Sequence, residues 1–435
     1  MGSFLTGESG RLSTTKSEKR LGPIRRFFSA LGPGLVTGAA DDDPSGVATY
    51  SIAGAQLGTS LLWTAFLTWP LMAAVQMMCA RIGMVTGQGL AGALRKRFPR
   101  WVLVIASLLL LGANTINIAA DLAGMADAAE MLTGWNSHLF VVLFGVGIAV
   151  AIIRFRYYQI AAILKWLALF LFAYVITAFY VGPDWGTILR DAFVPSIPHG
   201  NEGWSTLVAI LGTTISPYLF FWQASQEVEE EKAMGRRMLV QRVGATSREI
   251  ADRNLDVGTG TFFSNIVMFF IILTTALTLH RHGVTRLETS RQVAEALRPL
   301  AGRFAELLYT VGLIGVGLLA IPTLSGSAAY AFAETFGWRE GLDRKLGRAR
   351  YFYGVVILST AGGIVLDFLQ INPVQALFWT AVINGVLAPF LLVGILLIAS
   401  SKSIMKGQPS GTLCRTTVAV ATLLMFVAAI AMFVL

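Results

Sequence analysis

The sequence predicts an all-α integral membrane protein, built as a five-plus-five inverted repeat with an eleventh helix added. Three observations lead to this fold class. Hydrophobic residues make up 55% of the 435 residues and charged residues only 14%, whereas an average soluble domain has about 25% charged residues. Apolar runs of membrane length recur along the chain. The first and the sixth of these runs are each interrupted by a proline beside polar residues.

Eleven apolar segments are long enough to be membrane helices, since a helix of roughly 20 residues spans a bilayer. They lie at 31–57, 60–82, 102–126, 138–153, 158–181, 204–226, 259–280, 304–335, 351–369, 373–400 and 416–434. Residues 1–30 are polar and basic, show no cleavable-signal pattern and are expected to form a cytoplasmic segment. The membrane core is predicted at 31–400, with helices 1–5 at 31–181 and helices 6–10 at 204–400. Residues 401–435 would supply a loop and helix 11.

The distribution of lysine and arginine predicts the orientation in the membrane. With a cytoplasmic N-terminus, 28 of the 34 basic residues fall on the cytoplasmic side and six fall outside. Cytoplasmic loops of membrane proteins carry such an excess. We therefore expect a multi-pass protein of the plasma or inner membrane, with its C-terminus outside. The same bias accounts for the net charge of +9, so no nucleic-acid partner is expected.

The first apolar segment contains Asp41-Asp42-Asp43-Pro44-Ser45-Gly46 in its middle. Three carboxylates cannot face lipid, and Pro44 lacks a backbone donor and disfavours helix at Asp43. An unwound stretch here would free backbone carbonyls beside a carboxylate, which suits a cation. The alternative is two short helices joined by a surface loop, although each flank is too short to span a membrane alone.

The sixth segment is interrupted in a similar way between Gly212 and Tyr218. Three hydroxyls, those of Thr213, Thr214 and Ser216, precede Pro217. Taken alone, such a kink is typical of ordinary helix packing. Paired with the break in the first segment, it indicates an inverted repeat with a binding site near the membrane midplane.

Asn114, Asn117 and Asp121 share one face of the third helix, where they either line an aqueous route or join helices. Both readings stay open. Asn384 is interpreted as a contact between helices. The acidic run 227–231 is interpreted as a solvated helix end. The sequence has no phosphate-binding loop, CxxC or HExxH motif, so neither an enzyme nor a resident cofactor is predicted.

Taken together, these motifs resemble those of the NRAMP family of divalent-metal transporters. Gly32-Pro33-Gly34 is followed nine residues later by Asp43, and Asp43-Pro44-Ser45-Gly46 is similar to the family's Asp-Pro-Gly-Asn. Residues 119–123 resemble its Ala-Thr-Asp-Leu-Ala, and residues 213–218 resemble its Ala-Val-Ile-Met-Pro-His. The resemblance covers roughly residues 30–400. It implies a LeuT-like fold with broken helices 1 and 6.

The resemblance also implies a metal site formed by Asp43, Gly46, the carbonyl of Thr213 and Ser216. Further candidates are Asp42, Thr214, Gln223 and Asn384. Gly46 stands where the family has asparagine, and Ser216 where it has methionine. Thioether sulfur favours softer metals, whereas oxygen ligands suit Mg²⁺, Ca²⁺ and Mn²⁺. Smaller side chains also leave room for a partly hydrated Mg²⁺. The pattern is most similar to the NRAMP-related magnesium-transporter branch.

The family's proton-coupling acids and histidines are replaced here by Tyr50, Asn114, Gly124, Tyr218 and Gln223. We therefore expect alternating-access transport of Mg²⁺, and also of Mn²⁺, with weak or no proton coupling. The alternatives are a proton-coupled Mn²⁺/Fe²⁺ symporter, a sodium-coupled symporter of organic solutes, and a receptor or scaffold that binds metal without moving it. The expected partners are the divalent ion and the lipid bilayer, with no obligatory protein partner.

Overall fold

The computed structural model describes residues 33–155, 167–198, 200–369 and 371–434. The basic segment at residues 1–30 and the part of the fifth predicted span at 158–166 lie outside these residues. Thirteen principal helices form the molecule: α1 (Pro33–Asp41), α2 (Pro44–Leu57), α3 (Trp63–Thr86), α4 (Arg100–Thr133), α5 (Ser137–Arg154), α6 (Phe172–Val181), α7 (Gly200–Thr214), α8 (Pro217–Ala233), α9 (Ser247–Thr278), α10 (Ala305–Phe336), α11 (Arg350–Asp367), α12 (Pro373–Ser400) and α13 (Thr412–Val434). No strand occurs in the described ranges.

Shorter helical pieces connect them. The α-helical ones are Leu90–Leu94, Trp185–Phe193, Leu239–Arg242, Ser290–Glu295 and Arg298–Ala301, and the 3₁₀ ones are Leu167–Leu171, His280–His282, Gly302–Phe304 and Leu346–Arg348. By length and composition, eight of the described helical stretches could cross a membrane: α3, α4, α5, α7 with α8, α9, α10, α12 and α13. The other three predicted spans correspond to the pair α1–α2, to α6 and to α11.

Prolines at helix starts explain the two breaks. Pro44 and Pro217 are the first residues of α2 and α8. Proline suits this position because its missing N–H would have no partner in the first turn. Asp43 precedes Pro44 with extended backbone angles and caps α2. The first and the sixth predicted spans are therefore each two helices, as the sequence predicted.

The helices pack in two groups. Helices α1, α2, α3, α7, α8 and α9 contact one another, and α4, α5, α10 and α11 form the second group. Helix α12 packs against α2, α4, α7 and α13. The backbones of α1 and α9 approach each other closely, since a Cβ atom on Gly38 of α1 would overlap the backbone of Gly260 of α9. Small residues at such crossings are typical of membrane helix pairs.

The start of α9 differs from the prediction. The apolar segment begins at 259, whereas the helix begins at Ser247, twelve residues earlier. A capping box opens it, since Thr246 accepts a hydrogen bond from the Glu249 N–H and the Glu249 side chain accepts one from the Thr246 N–H. Such a box stabilises a helix start whatever the polarity of the following residues.

Candidate metal site at the two helix breaks

The two breaks lie side by side. Helix α1 ends at Asp41 and α2 begins at Pro44, while α7 ends at Thr214 and α8 begins at Pro217. A Cβ atom added to Gly46 would lie 3.2 Å from Thr213 Oγ1 and 3.3 Å from the carbonyl oxygen of Asp41. The first turn of α2 therefore packs directly against the last turn of α7. Asp42 and Asp43 are buried, so the surface-loop alternative for this stretch is wrong.

Asp43 is the N-cap of α2 and is only 2% exposed. Its Oδ1 accepts a hydrogen bond of 2.7 Å from the Gly46 N–H. Its Oδ2 has two longer contacts within the described residues, each of 3.4 Å, with Asn117 Nδ2 and Tyr218 Oη. A carboxylate is favoured at a helix N-terminus because the exposed N–H groups carry partial positive charge. One oxygen is thus engaged in the cap, and the other is weakly bonded.

The break between α7 and α8 is built around Ser216. Its Oγ lies 2.7 Å from the carbonyl oxygens of both Gly212 and Thr213. The Ser216 hydroxyl is therefore adjacent to the Thr213 carbonyl, which the resemblance implies as a metal ligand. The lone pairs of the hydroxyl oxygen remain available to a cation. Tyr218, in the first turn of α8, places its hydroxyl 3.0 Å from the Ala40 carbonyl oxygen and so joins α8 to the end of α1.

Two of the four further candidate residues, Thr214 and Gln223, have their contacts elsewhere. The Thr214 hydroxyl donates back to Ile210 of its own helix at 2.8 Å. Gln223 donates to Glu227 at 2.6 Å, away from the break. Asn384 is buried on α12, and Asp42 contacts Ser264 of α9. Asp43, Gly46, Thr213 and Ser216 are therefore the predicted site residues that the structure brings together.

The polar face of α4 divides between the two roles that the sequence left open. Asn114 joins helices, since its Nδ2 lies 2.8 Å from the Leu324 carbonyl oxygen and 2.9 Å from Ser327 Oγ of α10. Asn117 instead reaches Asp43. Asp121, one turn further, is fully buried, and neither of its carboxylate oxygens has a hydrogen-bond partner within the described part of the chain. Asn117 and Asp121 therefore belong to the surroundings of the site.

Two residues near the breaks were not predicted as contributors. The resemblance marks Tyr218 only as the replacement of a family histidine, and nothing in the sequence marks Ser264. Ser264 is a single hydroxyl in the apolar stretch of α9, so no spacing pattern marks it. Within the described residues, no three His, Cys, Asp or Glu side chains converge on one metal position. A cation at the breaks would therefore need carbonyl, hydroxyl or water oxygens beside any carboxylate.

An ionic cluster lies at the start of α1 and comprises Glu227, Glu230, Arg253 and Asp256. Arg253 Nε is 2.8 Å from Glu227 Oε2, and its Nη1 is 2.6 Å from Asp256 Oδ2. Its Nη2 pairs with Glu230. Asp256 also accepts a hydrogen bond of 2.8 Å from the Gly34 N–H. The cluster ties α1, α8 and α9 together. The expectation of a solvated acidic run is wrong for Glu227 and Glu231, which are 1% and 5% exposed.

A cavity of about 360 Å³ lies at the opposite end of the broken helices. The end of α2, the start of α7 and the start of α12 line it, with Gln56, Glu202, Glu288 and Trp379 among its residues. Gln56 Nε2 donates to Glu202 Oε2 at 3.0 Å. This cavity is called the vestibule below. The vestibule and the ionic cluster therefore lie on opposite sides of the two breaks.

Curated relatives of this chain include two transporters that are each about a quarter identical to it. The divalent metal cation transporter MntH of Yersinia pestis is 26% identical over 315 residues, which cover 70% of this chain and 73% of the relative. The protein of the same name from Caldanaerobacter subterraneus is 24% identical over 401 residues, covering 88% of this chain and 87% of the relative. Both relatives are named as transporters, in agreement with the prediction that the protein is not an enzyme.

A solved structure of the Eremococcus coleocola manganese transporter, in complex with an aromatic bis-isothiourea compound, superposes with a TM-score of 0.74. It is 19% identical and covers 93% of this chain and 87% of that chain. At this identity the likeness shows the fold alone, and it confirms the predicted fold class. Residues 34–435 also match the sequence profile of a family described as natural resistance-associated macrophage protein-like. The chain therefore belongs to the Nramp family.

Proposed function

We propose that this protein moves divalent metal cations across the membrane by alternating access, with Mg²⁺ as the preferred ion and Mn²⁺ as a second substrate. The observation that carries the proposal is that the two helix breaks pack against each other. There the weakly bonded Asp43 Oδ2, the Ser216 hydroxyl and the Thr213 carbonyl offer oxygen ligands at neighbouring positions. The names of the curated relatives support the substrate class. The divalent ion is cargo rather than a resident cofactor.

The preference for Mg²⁺ rests on residue chemistry at two positions. Ser216 and Gly46 stand where the resemblance implies a methionine and an asparagine, so the ion would meet hard oxygen ligands and a wider space. Mg²⁺ gives up its waters reluctantly and is usually bound through one or two carboxylates. Asp43, with Asp121 behind it, suits such a partly hydrated ion.

In the proposed orientation the vestibule faces outward and the ionic cluster faces the cytoplasm. Asp43, Gly46, Thr213 and Ser216 would then bind the ion between an outer opening and a closed inner side. The N-terminus would be cytoplasmic and the C-terminus outside, as the basic residues indicate.

A second candidate is proton-coupled uptake of Mn²⁺ or Fe²⁺. Asp121 is the specific observation that favours it, because a fully buried carboxylate without a hydrogen-bond partner in the described structure is a candidate proton carrier. Against it, Tyr218 and Gln223 occupy the positions of the family's histidines, and the Tyr218 hydroxyl is engaged with the Ala40 carbonyl.

Ion competition in proteoliposomes tests the choice of substrate. Uptake of Mn²⁺ is measured in the presence of external Mg²⁺, Ca²⁺ or Cd²⁺. We expect Mg²⁺ to inhibit Mn²⁺ uptake at concentrations similar to that of Mn²⁺, and Cd²⁺ to be a poor competitor. Strong inhibition by Cd²⁺ with no inhibition by a large excess of Mg²⁺ would instead support the Mn²⁺/Fe²⁺ type of transport.

A further inference from the structure

Two carboxylates at the end of α1 are buried without a basic partner. Asp41 is 0% exposed and Asp42 is 5% exposed. Among the described residues, no lysine, arginine or histidine forms an ion pair with either of them. A buried carboxylate is paired with a cation, binds a metal or is held neutral by a proton. The usual pairing is missing here.

The contacts of Ser264 show a shortage of donors. Its Oγ lies 2.8 Å from Asp41 Oδ2 and 3.1 Å from Asp42 Oδ1. A hydroxyl has one hydrogen, so it donates to only one of these two oxygens. Asp41 Oδ1 has no hydrogen-bond partner in the described part of the chain. Two carboxylate oxygens therefore share a single donated hydrogen, and no basic side chain of the described residues pairs with either carboxylate.

Asp41 and Asp42 differ from Asp43 in the helix end at which they lie. Asp43 lies at the N-terminus of α2, where the Gly46 N–H stabilises its charge. Asp41 and Asp42 lie at the C-terminus of α1, a helix of nine residues, where the free carbonyls carry partial negative charge. A carboxylate is disfavoured at that end, whereas a cation is favoured. The local field at Asp41 and Asp42 thus favours a bound cation.

We propose that Asp41, Asp42 and Ser264 form a second binding position for a hard divalent cation, on the α1–α9 side of the break. This proposal rests on the proposed function, which makes divalent cations available to these helices. Two carboxylates balance the charge of one divalent ion, and the Ser264 hydroxyl, free carbonyls of α1 and water complete its oxygen ligands. The position is distinct from that of Asp43, whose polar neighbours come from α4 and α8. The protein would then bind two divalent ions per chain.

Equilibrium binding of Mn²⁺ to the purified full-length protein tests the proposal, with free Mn²⁺ measured by its electron paramagnetic resonance signal. We expect two Mn²⁺ per chain for the wild type. Ser264→Ala and Asp42→Asn should each weaken one of the two by at least about tenfold, since losing a ligand exceeds the usual effect of losing an outer-shell partner. Ser359→Ala is the matched control, because the buried Ser359 hydroxyl donates within its own helix, to Val356 at 3.0 Å.

Asp43→Ala separates the two positions and should leave one Mn²⁺ bound. A single Mn²⁺ in the wild type that requires Asp43 and is unaffected by Ser264→Ala and Asp42→Asn would overturn the second position and leave the proposed function standing. No Mn²⁺ binding to any form would overturn both. If Ser264→Ala does not fold, Asp42→Asn decides, because it keeps the side-chain size and removes a buried charge.

Discussion

Asp43 is the residue on which the proposed site depends most. It caps α2 through one carboxylate oxygen, and its other oxygen has long contacts of 3.4 Å with Asn117 and Tyr218. Asp43→Ala removes the anionic ligand and the cap together. We expect saturable transport of Mg²⁺ and Mn²⁺ to fall by at least about a hundredfold, the upper end of the range for a lost outer-shell partner.

The protein should remain folded, because loss of an N-cap costs only about 1 kcal/mol. Flux and thermal unfolding are measured on the same preparation. Asp184→Ala serves as the control, since Asp184 also caps a helix but is exposed and outside the breaks. Normal saturable flux through the Asp43→Ala protein would remove this residue from the site.

Ser216 is the residue that should set metal preference. Ser216→Met adds a thioether beside the Thr213 carbonyl, and we expect selectivity to move toward Cd²⁺ and Mn²⁺. The shift should be partial, because Gly46 still supplies no amide oxygen. Ser216→Ala is the matched variant that loses the hydroxyl without gaining sulfur. Competition between Mg²⁺ and Cd²⁺ for uptake distinguishes the three proteins, and an unchanged preference in Ser216→Met would mean that residue 216 does not face the ion.

At the level of single residues, the sequence predicts the features that depend on local chemistry. Asp43 and Pro44 predict the helix break at which they lie, because proline restricts the backbone geometry and a carboxylate cannot face lipid. The choice of Thr213 over Thr214 came from the family resemblance, because neighbouring hydroxyls in a kinked helix differ only in direction. It also missed Ser264, whose role depends on the packing of α9 against α1 rather than on any spacing along the chain.

At the scale of elements, the charged start of α9 illustrates a limit of hydropathy. An apolar window detects residues 259–280, whereas residues 247–258 look like a polar loop. Those residues are helical because they are capped and because Arg253 pairs with three carboxylates of α8 and α9. Charged residues that pair only after folding look like solvated residues in the sequence.

Arg253 should therefore be a strong determinant of stability. Arg253→Gln leaves the buried Glu227 and Asp256 without their cation, and breaking a buried pair in this way costs about 3–5 kcal/mol. We expect a clear fall in the unfolding temperature in detergent. Arg248→Gln is the control on the same helix, because its contact with Asp252 is exposed and measures 3.9 Å, and such pairs contribute about 0–1 kcal/mol. Equal unfolding temperatures for the two variants would contradict a structural role for the cluster.

At the scale of the whole molecule, two broken helices cross with their breaks adjacent, between a vestibule and an ionic cluster. This arrangement could be predicted because both breaks carry proline and polar residues at equivalent positions of the two halves. The vestibule could not, since it is formed by the ends of α2, α7 and α12, which are far apart in sequence. Uncoupled movement of a divalent ion through such a protein should respond strongly to voltage.

The most direct test of the account records Mg²⁺ uptake and lumenal pH together in proteoliposomes held at a fixed potassium diffusion potential. Each elementary charge crossing 100 mV corresponds to about 2.3 kcal/mol, or about 4.6 kcal/mol for a divalent ion. We expect an inside-negative potential to drive Mg²⁺ accumulation without a pH gradient and without acidification of the lumen. Absence of Mg²⁺ uptake, or acidification in fixed proportion to the metal taken up and absent from empty vesicles, would contradict the account.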